Sequence, residues 1–185
     1  MRKYIFLFST LLLLTNCTRK MSNLQLKDDR SIETVRIGMP MDEAIKITSK
    51  DFFVEKTKVI GYDDAPKTYE YIVYTDDKKK ESLFSFNEGH EKKTFNKVFR
   101  IVIKSPKYKT LEGIYVGMSL KELKTKGKLK SADFNYNDGL YIFSGKHDGG
   151  YWMDVDMKKY SSYNFDKPKV KTLPEDITVK GIIIF

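Results

Sequence analysis

The chain is poor in the residues that small exported proteins and common enzymes most often use. Of its 185 residues only Cys17 is a cysteine, so a disulfide framework is excluded. Its two histidines, His90 and His147, offer few candidates for an imidazole base. It also lacks Gly-x-Ser-x-Gly, phosphate-binding and His-Glu-x-x-His motifs. These absences argue against the best-known hydrolase and metalloprotease classes, and they predict a fold held together by its hydrophobic core.

The N-terminus combines a positive start with an apolar stretch over residues 4–14, which is too short to span a bilayer as a helix of about 20 residues. This pattern is typical of a signal peptide. The stretch ends at Leu14-Thr15-Asn16-Cys17, and the leader resembles a bacterial lipoprotein signal. The resemblance implies removal of residues 1–16 and lipidation of Cys17 as the mature N-terminus. The residues alone also permit a secreted protein with a free thiol at that position.

A lipid anchor of several acyl chains holds a protein stably at a membrane. We therefore expect a protein of the bacterial cell envelope, with residues 17–30 forming a flexible tether. Thr18 stands where enterobacterial sorting places an aspartate for inner-membrane retention, which favours the outer membrane and a domain facing the periplasm. Removal of the leader leaves 32 of the 34 basic residues against 25 acidic ones, a net charge of +7. Outside the cytoplasm this charge suits anionic headgroups or acidic proteins rather than nucleic acid.

A ten-residue pattern occurs twice in the chain. Residues 35–44 and residues 114–123 share an apolar run, a Gly-Met pair and an acidic residue, at an offset of 79 positions. The β-rich apolar runs 98–103 and 177–182 are related by the same offset. An internal repeat of this kind indicates two copies of one supersecondary unit. The two predicted units are residues 31–105 and 110–185.

Each unit is predicted to begin with a tight turn followed by a helix. A glycine can take the positive φ that such a turn requires, and an acidic side chain in the first helical turn interacts favourably with the helix dipole. In the second unit, Ser119 and Glu122 have the spacing of a capping box. The residues of this motif are Gly38, Met39 and Glu43 in the first unit, and Gly117, Met118, Ser119 and Glu122 in the second.

Alternating apolar and aromatic residues predict strands after each helix. Polar turns between them favour antiparallel hairpins. The expected fold class is α+β, with two tandem units in which one short N-terminal helix packs on its own three- or four-stranded antiparallel sheet. The predicted strands are 67–75, 82–87 and 97–104 in the first unit, and 139–144, 151–157 and 177–185 in the second.

The Gly-Met helix start, followed by an antiparallel meander, is similar to the SmpA/OmlA (BamE-like) lipoproteins. It is also similar to the β-lactamase-inhibitor protein fold, which carries two such units in tandem. The resemblance implies that each sheet keeps one face open. In the inhibitor family the paired concave sheet surfaces grip a partner protein. Only the helix starts at Gly38 and Gly117 match, so no partner-contact residue is carried over.

An aromatic sheet face is the candidate binding site. Trp152 and Asp154 are two positions apart in a predicted strand and therefore share a face, whereas Met153, Val155 and Met157 are expected to face the helix. Because Trp is enriched in binding hot spots, Trp152 is the leading candidate. A Trp partly buried at a domain seam is the alternative. The further candidates are Tyr69, Tyr71 and Tyr151, which ordinary strand propensity explains equally well.

No metal or cofactor site is predicted. Asp148, Asp154 and Asp156 do not have the spacing of a calcium-binding loop, and the His147-Asp148 pair has the composition of a solvated turn. The sequence favours a non-catalytic, lipid-anchored envelope protein that binds another envelope protein through its sheets. Two alternatives remain: an envelope enzyme acting on peptidoglycan or lipid through carboxylates, and a small-ligand or metal carrier.

Overall fold

The computed structural model describes residues 24–26, 28–59, 68–89, 91–135 and 139–185. The predicted signal peptide, Cys17 and His90 lie outside the described residues. The strand Leu24–Gln25 (β1) pairs in parallel with Tyr108–Lys109 (β8), and Leu26 is buried. The last part of the predicted tether is thus packed against the domain.

Most of the regular structure is extended. Two helices are present among the described residues, α1 (Met41–Thr48) and α2 (Leu120–Lys126), together with a 3-10 turn at Val170–Thr172. None of the helices in this part of the chain is long and apolar enough to cross a bilayer. The other strands are β2 (Ser31–Ile32), β3 (Val35–Arg36), β4 (Phe53–Val59), β5 (Thr68–Tyr74), β6 (Ser82–Glu88), β7 (Val98–Ile103), β9 (Leu129–Asn135), β10 (Gly139–Ser144), β11 (Gly149–Asp154) and β12 (Thr178–Ile184).

Eight of the strands form one antiparallel sheet in the order β4-β5-β6-β7-β12-β11-β10-β9. Each half of the chain contributes four strands, and β7 pairs with β12 at the centre. The prediction of two α+β units, each with a helix on its own sheet, is therefore wrong. The protein is mostly β, with one shared sheet and two short helices. The physical reason is that β7 and β12 would each be an unpaired apolar edge, and their pairing satisfies the backbone groups of both.

The two halves repeat the same backbone contacts. The Gly38 N–H donates to the Val98 carbonyl oxygen, and the Gly117 N–H donates to the Val179 carbonyl oxygen, each at 2.7 Å. Both valines return a hydrogen bond from their own N–H to the methionine that follows each glycine, at 2.8 Å. Val98 and Val179 are 81 positions apart. The second half is therefore two residues longer between its motif and its last strand than the offset of 79 predicts.

The motif glycines occupy turns that only a positive φ can close. Gly38 has a φ of 84° and Gly117 a φ of 99°. In both turns the N–H after the glycine donates to the carbonyl oxygen three residues earlier, at 3.1 and 3.2 Å. This geometry fits a type II turn, whose third residue requires a positive φ and is usually glycine.

Each helix begins with a different stabilising device. In α2 the Glu122 N–H donates to Ser119 Oγ and the Ser119 N–H donates to the Glu122 carboxylate, both at 3.3 Å, which is a capping box. In α1, Pro40 provides no side-chain cap, and Asp42 and Glu43 lie in the first turn instead. Both helices bury an apolar stripe in the core. The buried helix residues are Met41, Ala44 and Thr48 in α1, and Leu120 and Leu123 in α2.

The sheet has two unlike faces. One face, the helix side, packs against the helices and connecting segments. It contributes Val73, Phe84, Phe86, Ile101, Ile103, Leu140, Ile142, Tyr151, Met153, Ile182 and Ile184 to the core. Because side chains alternate along a strand, the positions between these belong to the other face, which we call the open face. The open face comprises Glu55, Glu70, Ile72, Tyr74, Ser85, Asn87, Arg100, Val102, Asp133, Tyr141, Phe143, Gly150, Trp152, Asp154, Gly181 and Ile183.

Candidate protein-binding face

A row of small and apolar residues crosses the centre of the open face. Val102 of β7 lies opposite Ile183 of β12, and Ser85 and Gly150 are next in the row on either side. Val102 is 8% and Ile183 6% exposed. Both residues are therefore largely shielded from water, and the row forms an apolar floor between two flanking sets of side chains.

The first half of the open face is polar, and its carboxylates, Glu55 and Glu70, are each paired with a lysine. Lys104 Nζ lies 3.0 Å from Glu70 Oε1, and Arg100 Nε donates to Asn87 Oδ1 at 3.1 Å. Burial acts to raise the pKa of Glu70, but the neighbouring Ser85 hydroxyl and the Lys104 ammonium outweigh burial and lower it. Glu70 is therefore held as a carboxylate within a fixed network.

The second half of the open face is aromatic. The rings of Trp152 and Tyr141 are nearly parallel, with an interplanar angle of 11° and centroids 6.2 Å apart. Lys180 projects from a bulge in the pairing of β11 with β12, and its Nζ lies 4.2 Å from the centre of the Trp152 ring in a cation–π contact. Phe143 follows on β10 and is 39% exposed. We call Tyr141, Phe143, Trp152 and Lys180 the aromatic patch.

A glycine gives the Trp152 indole its place on the sheet. Gly181 lies directly opposite Trp152 on β12. A Cβ at Gly181 would lie 3.3 Å from a Val102 methyl carbon and 3.6 Å from the Trp152 ring. A larger residue would therefore crowd Val102 in the floor, whereas the Trp152 ring lies at an ordinary contact distance from this position.

Two further glycines open a slot beside the aromatic patch. A Cβ at Gly150 would lie 2.3 Å from the Ile142 carbonyl oxygen, and one at Gly149 would lie 2.1 Å from the Ile183 carbonyl oxygen, so both positions exclude a side chain. The cavity that results, which we call the glycine slot, has a volume of about 250 Å³. Its open-face lining consists of Arg100, Tyr141, Phe143, Ile183 and Phe185.

A second, shallower cleft of about 550 Å³ lies at the turn between β10 and β11. It carries charges of both signs, from Asp29, Asp148, Arg30 and two lysines. One of these, Lys146, is paired with Glu112 at 2.9 Å. Across the described ranges, no group of three or more His, Cys, Asp or Glu side chains is placed to hold a metal ion.

The predicted residues of β11 separate as alternation requires. Trp152 and Asp154 lie together on the open face, and Met153 is buried on the helix side. Val155 is partly buried against the core. Met157, which we expected to face the helix, lies beyond the end of the strand and is 44% exposed. That expectation is wrong because the alternation stops where β11 stops, at Asp154.

The three tyrosine candidates lie on the helix side. Tyr151 is 2% exposed, and burial raises its pKa to about 12. Tyr71 stacks on Phe86, with ring centroids 5.5 Å apart, and packs against the core. Tyr69 lies two residues before Tyr71 on the same face of β5, beneath Lys56 Nζ at 3.8 Å. The structure therefore does not bring these tyrosines together with Trp152.

Phe143, Lys180 and Arg100 belong to the site but are not among the candidates predicted from the sequence. The alternation of Tyr141 with Phe143 in one predicted strand was a usable signal for an aromatic face. Lys180 gave no such signal, because it occupies the bulge, where alternation fails. Arg100 joins the site only through the pairing of β7 with β12.

No protein-family model and no curated protein matches the chain at a significant level. Among solved structures, the chain is similar to the uncharacterised protein YfeY from Escherichia coli, with a TM-score of 0.56. The two share 14% sequence identity, and the match covers 88% of this chain and 99% of that chain. At this level of identity the likeness shows the fold alone.

Proposed function

We propose that the protein is a non-catalytic, lipid-anchored component of the bacterial cell envelope that binds another envelope protein through its open face. The observation that carries the proposal is the aromatic patch. Trp and Tyr provide large, rigid contact surfaces at low entropic cost and are enriched in binding hot spots. Here a Trp, a Tyr and an exposed Phe adjoin on one sheet face, with an ammonium group over the indole.

The dimensions of the open face suit a protein partner. Eight strands at a spacing of about 4.8 Å make the sheet roughly 34 Å wide, and its strands are roughly 20 Å long. A standard interface buries about 800 Å² on each partner. The planar area of the face, roughly 680 Å² at this spacing, is close to the size of one such interface.

The polar first half supports binding rather than catalysis. A general acid at neutral pH needs a carboxyl group with a raised pKa, whereas the pKa of Glu70 is lowered. Glu70 and Asn87 are both engaged by cations of β7 or its end. Paired polar groups around an apolar floor correspond to the rim and core of a protein interface.

The anchor would hold the domain near the bilayer. Leu24, the first residue of β1, is seven positions after Cys17, and an extended chain of that length spans at most about 25 Å. A partner in the same membrane is then within reach. We place the protein at the outer membrane, facing the periplasm. Its net charge favours rapid encounter with an acidic partner.

The Gly-Met helix starts provide a precedent by analogy. They resemble those of the SmpA/OmlA lipoproteins and of the β-lactamase-inhibitor proteins, and in the latter family sheet surfaces grip a partner protein. The analogy supports a binding role without naming the partner.

The proposal is tested by reversible cross-linking in cells, followed by purification of the tagged protein from solubilised envelopes. We expect the native protein to recover a discrete partner and Trp152→Ala to recover more than tenfold less, since loss of a hot-spot residue weakens binding by about 2 kcal/mol or more, which is roughly thirtyfold in affinity. Lys121→Ala, at an exposed position of α2, is the matched control and should behave as the native protein. Equal recovery from all three proteins, or no partner from any, would count against the proposal.

A further inference from the structure

We infer that the glycine slot receives one large apolar side chain of the partner, and that Arg100 binds a carboxylate beside it. The inference rests on the proposed function, because it names the chemistry of the partner segment that the open face takes. The occupant of the slot is a segment of another protein that combines a large apolar side chain with a nearby acidic one.

The slot exists because the two halves of the sheet differ at equivalent positions. In the first half, Phe84 and Ser85 of β6 lie opposite Ile103 and Val102 of β7. In the second half, the corresponding places on β11 are glycines, opposite Ile184 and Ile183 of β12. On the open face, Gly150 thus has no side chain where the first half has the hydroxymethyl group of Ser85. The Phe84 ring, which Gly149 lacks, belongs to the helix side.

The size of the slot indicates a single side chain. Pockets for drug-sized ligands measure about 300–1,000 Å³, and the glycine slot is smaller, at about 250 Å³. Its walls are the rings of Tyr141, Phe143 and Phe185, and its floor includes Ile183. Apolar walls of this kind favour an aromatic or large aliphatic side chain, because a polar group would lose its hydration there without a partner.

The charge of the slot points to a carboxylate. Arg100 is the one charged side chain of its lining. Its Nε is engaged by Asn87, and within the described ranges it forms no salt bridge. Glu70, whose pKa Arg100 helps to lower, is paired with Lys104 instead. The terminal nitrogens of a guanidinium group favour a carboxylate in bidentate geometry.

The test uses a random dodecapeptide library displayed on phage, selected against the purified mature protein in detergent. We expect enrichment of peptides with a large apolar residue within two positions of Asp or Glu. A synthetic peptide of the enriched sequence should bind Arg100→Gln roughly tenfold or more weakly than the native protein, as expected for loss of a charged hydrogen bond. Arg100→Lys should recover part of the affinity, and Phe143→Ala should also bind roughly tenfold more weakly. Lys121→Ala should bind as the native protein does.

Three results would overturn the inference. The first is a lack of enrichment, or enriched peptides without an acidic residue. The second is equal affinity for the native protein and Arg100→Gln, with circular dichroism showing both folded and with no salt dependence of native binding. The third is self-association of the native protein in sedimentation that Phe143→Ala abolishes, since a second copy would then fill the slot. Recovery of a partner in cells together with any of these results would leave the proposed function standing and remove only the inference about the slot.

Discussion

Val102 and Ile183 lie opposite each other where β7 meets β12, and they are equivalent residues of the two halves, 81 positions apart. With the same offset, Ile101 corresponds to Ile182 and Ile103 to Ile184. The pair Ile182–Ile103 on one side therefore corresponds to the pair Ile101–Ile184 on the other. A pseudo-twofold axis therefore passes through the Val102–Ile183 pair. The repeat in the sequence builds one sheet with two related halves, and the axis crosses the middle of the open face.

If the halves form one sheet, damage at the junction should reach both of them. Ile182 is fully buried and pairs with Ile103 across the junction. We expect Ile182→Ala to lower the free energy of unfolding by about 2–5 kcal/mol. Hydrogen exchange measured by mass spectrometry should accelerate in β6 and β7 as well as in β11 and β12. Faster exchange confined to β11 and β12 would show that the halves are energetically separate.

The motif glycines should be required for their backbone conformation rather than for space. A Cβ at Gly38 or Gly117 would meet no atom within 4 Å, so only the positive φ opposes a side chain. We expect Gly117→Ala to lower the free energy of unfolding by about 1–2 kcal/mol. Gly117→Asn should lose less, because asparagine tolerates a positive φ. Urea denaturation of the two variants measures the difference, and equal stability of Gly117→Ala and the native protein would refute this explanation.

Tyr151 should make the protein less stable at alkaline pH. Burial, aided by the charge of Glu112, raises the pKa of Tyr151 to about 12 from its usual value of about 10. The unfolded chain therefore releases this proton near pH 10, whereas the folded protein keeps it until about pH 12. The stabilisation is fully present below pH 10 and falls by roughly 2–3 kcal/mol as the pH rises to about 12.

Tyr151→Phe provides the comparison, because phenylalanine does not ionise. Between pH 8 and pH 11.5, urea denaturation should show a smaller loss of stability in Tyr151→Phe than in the native protein. The stability difference between the two proteins should therefore shift in favour of the variant. A difference that stays the same at both pH values would mean that Tyr151 titrates normally.

Lipidation at Cys17 is tested by Cys17→Ser. The variant should take up no labelled palmitate and should leave the membrane fraction, because the serine hydroxyl does not replace the thiol that carries the anchor. The domain itself should keep its circular dichroism spectrum. Labelled palmitate and membrane partition that persist in Cys17→Ser would exclude this residue as the anchor.

The local elements could be predicted from the sequence because local physics fixes them. The spacing of Ser119 and Glu122 encodes a helix start within four residues, and a glycine before methionine encodes a turn. The number of sheets could not be predicted in this way. It depends on whether β7 pairs with β12. This contact joins residues about 80 positions apart, and the sequence of either strand alone does not indicate it.

The faces of the strands were predictable only in part. Tyr69 and Tyr71 are in phase with Val73, which is fully buried, and this phase already indicated the helix side. In β11, Tyr151 is in phase with Met153, which gives the same indication. Which side chains become neighbours on a face depends also on which strands pair and in what register. Bulges such as that at Lys180 interrupt the alternation on which the prediction depends.

The contact of the open face with a partner in the cell can be measured directly by site-specific photo-cross-linking. A photoreactive amino acid is placed at Phe143 on the open face or, as the matched control, at Glu43, an exposed residue of α1. We expect one discrete adduct with another envelope protein from Phe143 and none from Glu43, as binding through the open face requires. The same adducts from both positions, or an adduct from Glu43 alone, or none from either, would contradict it.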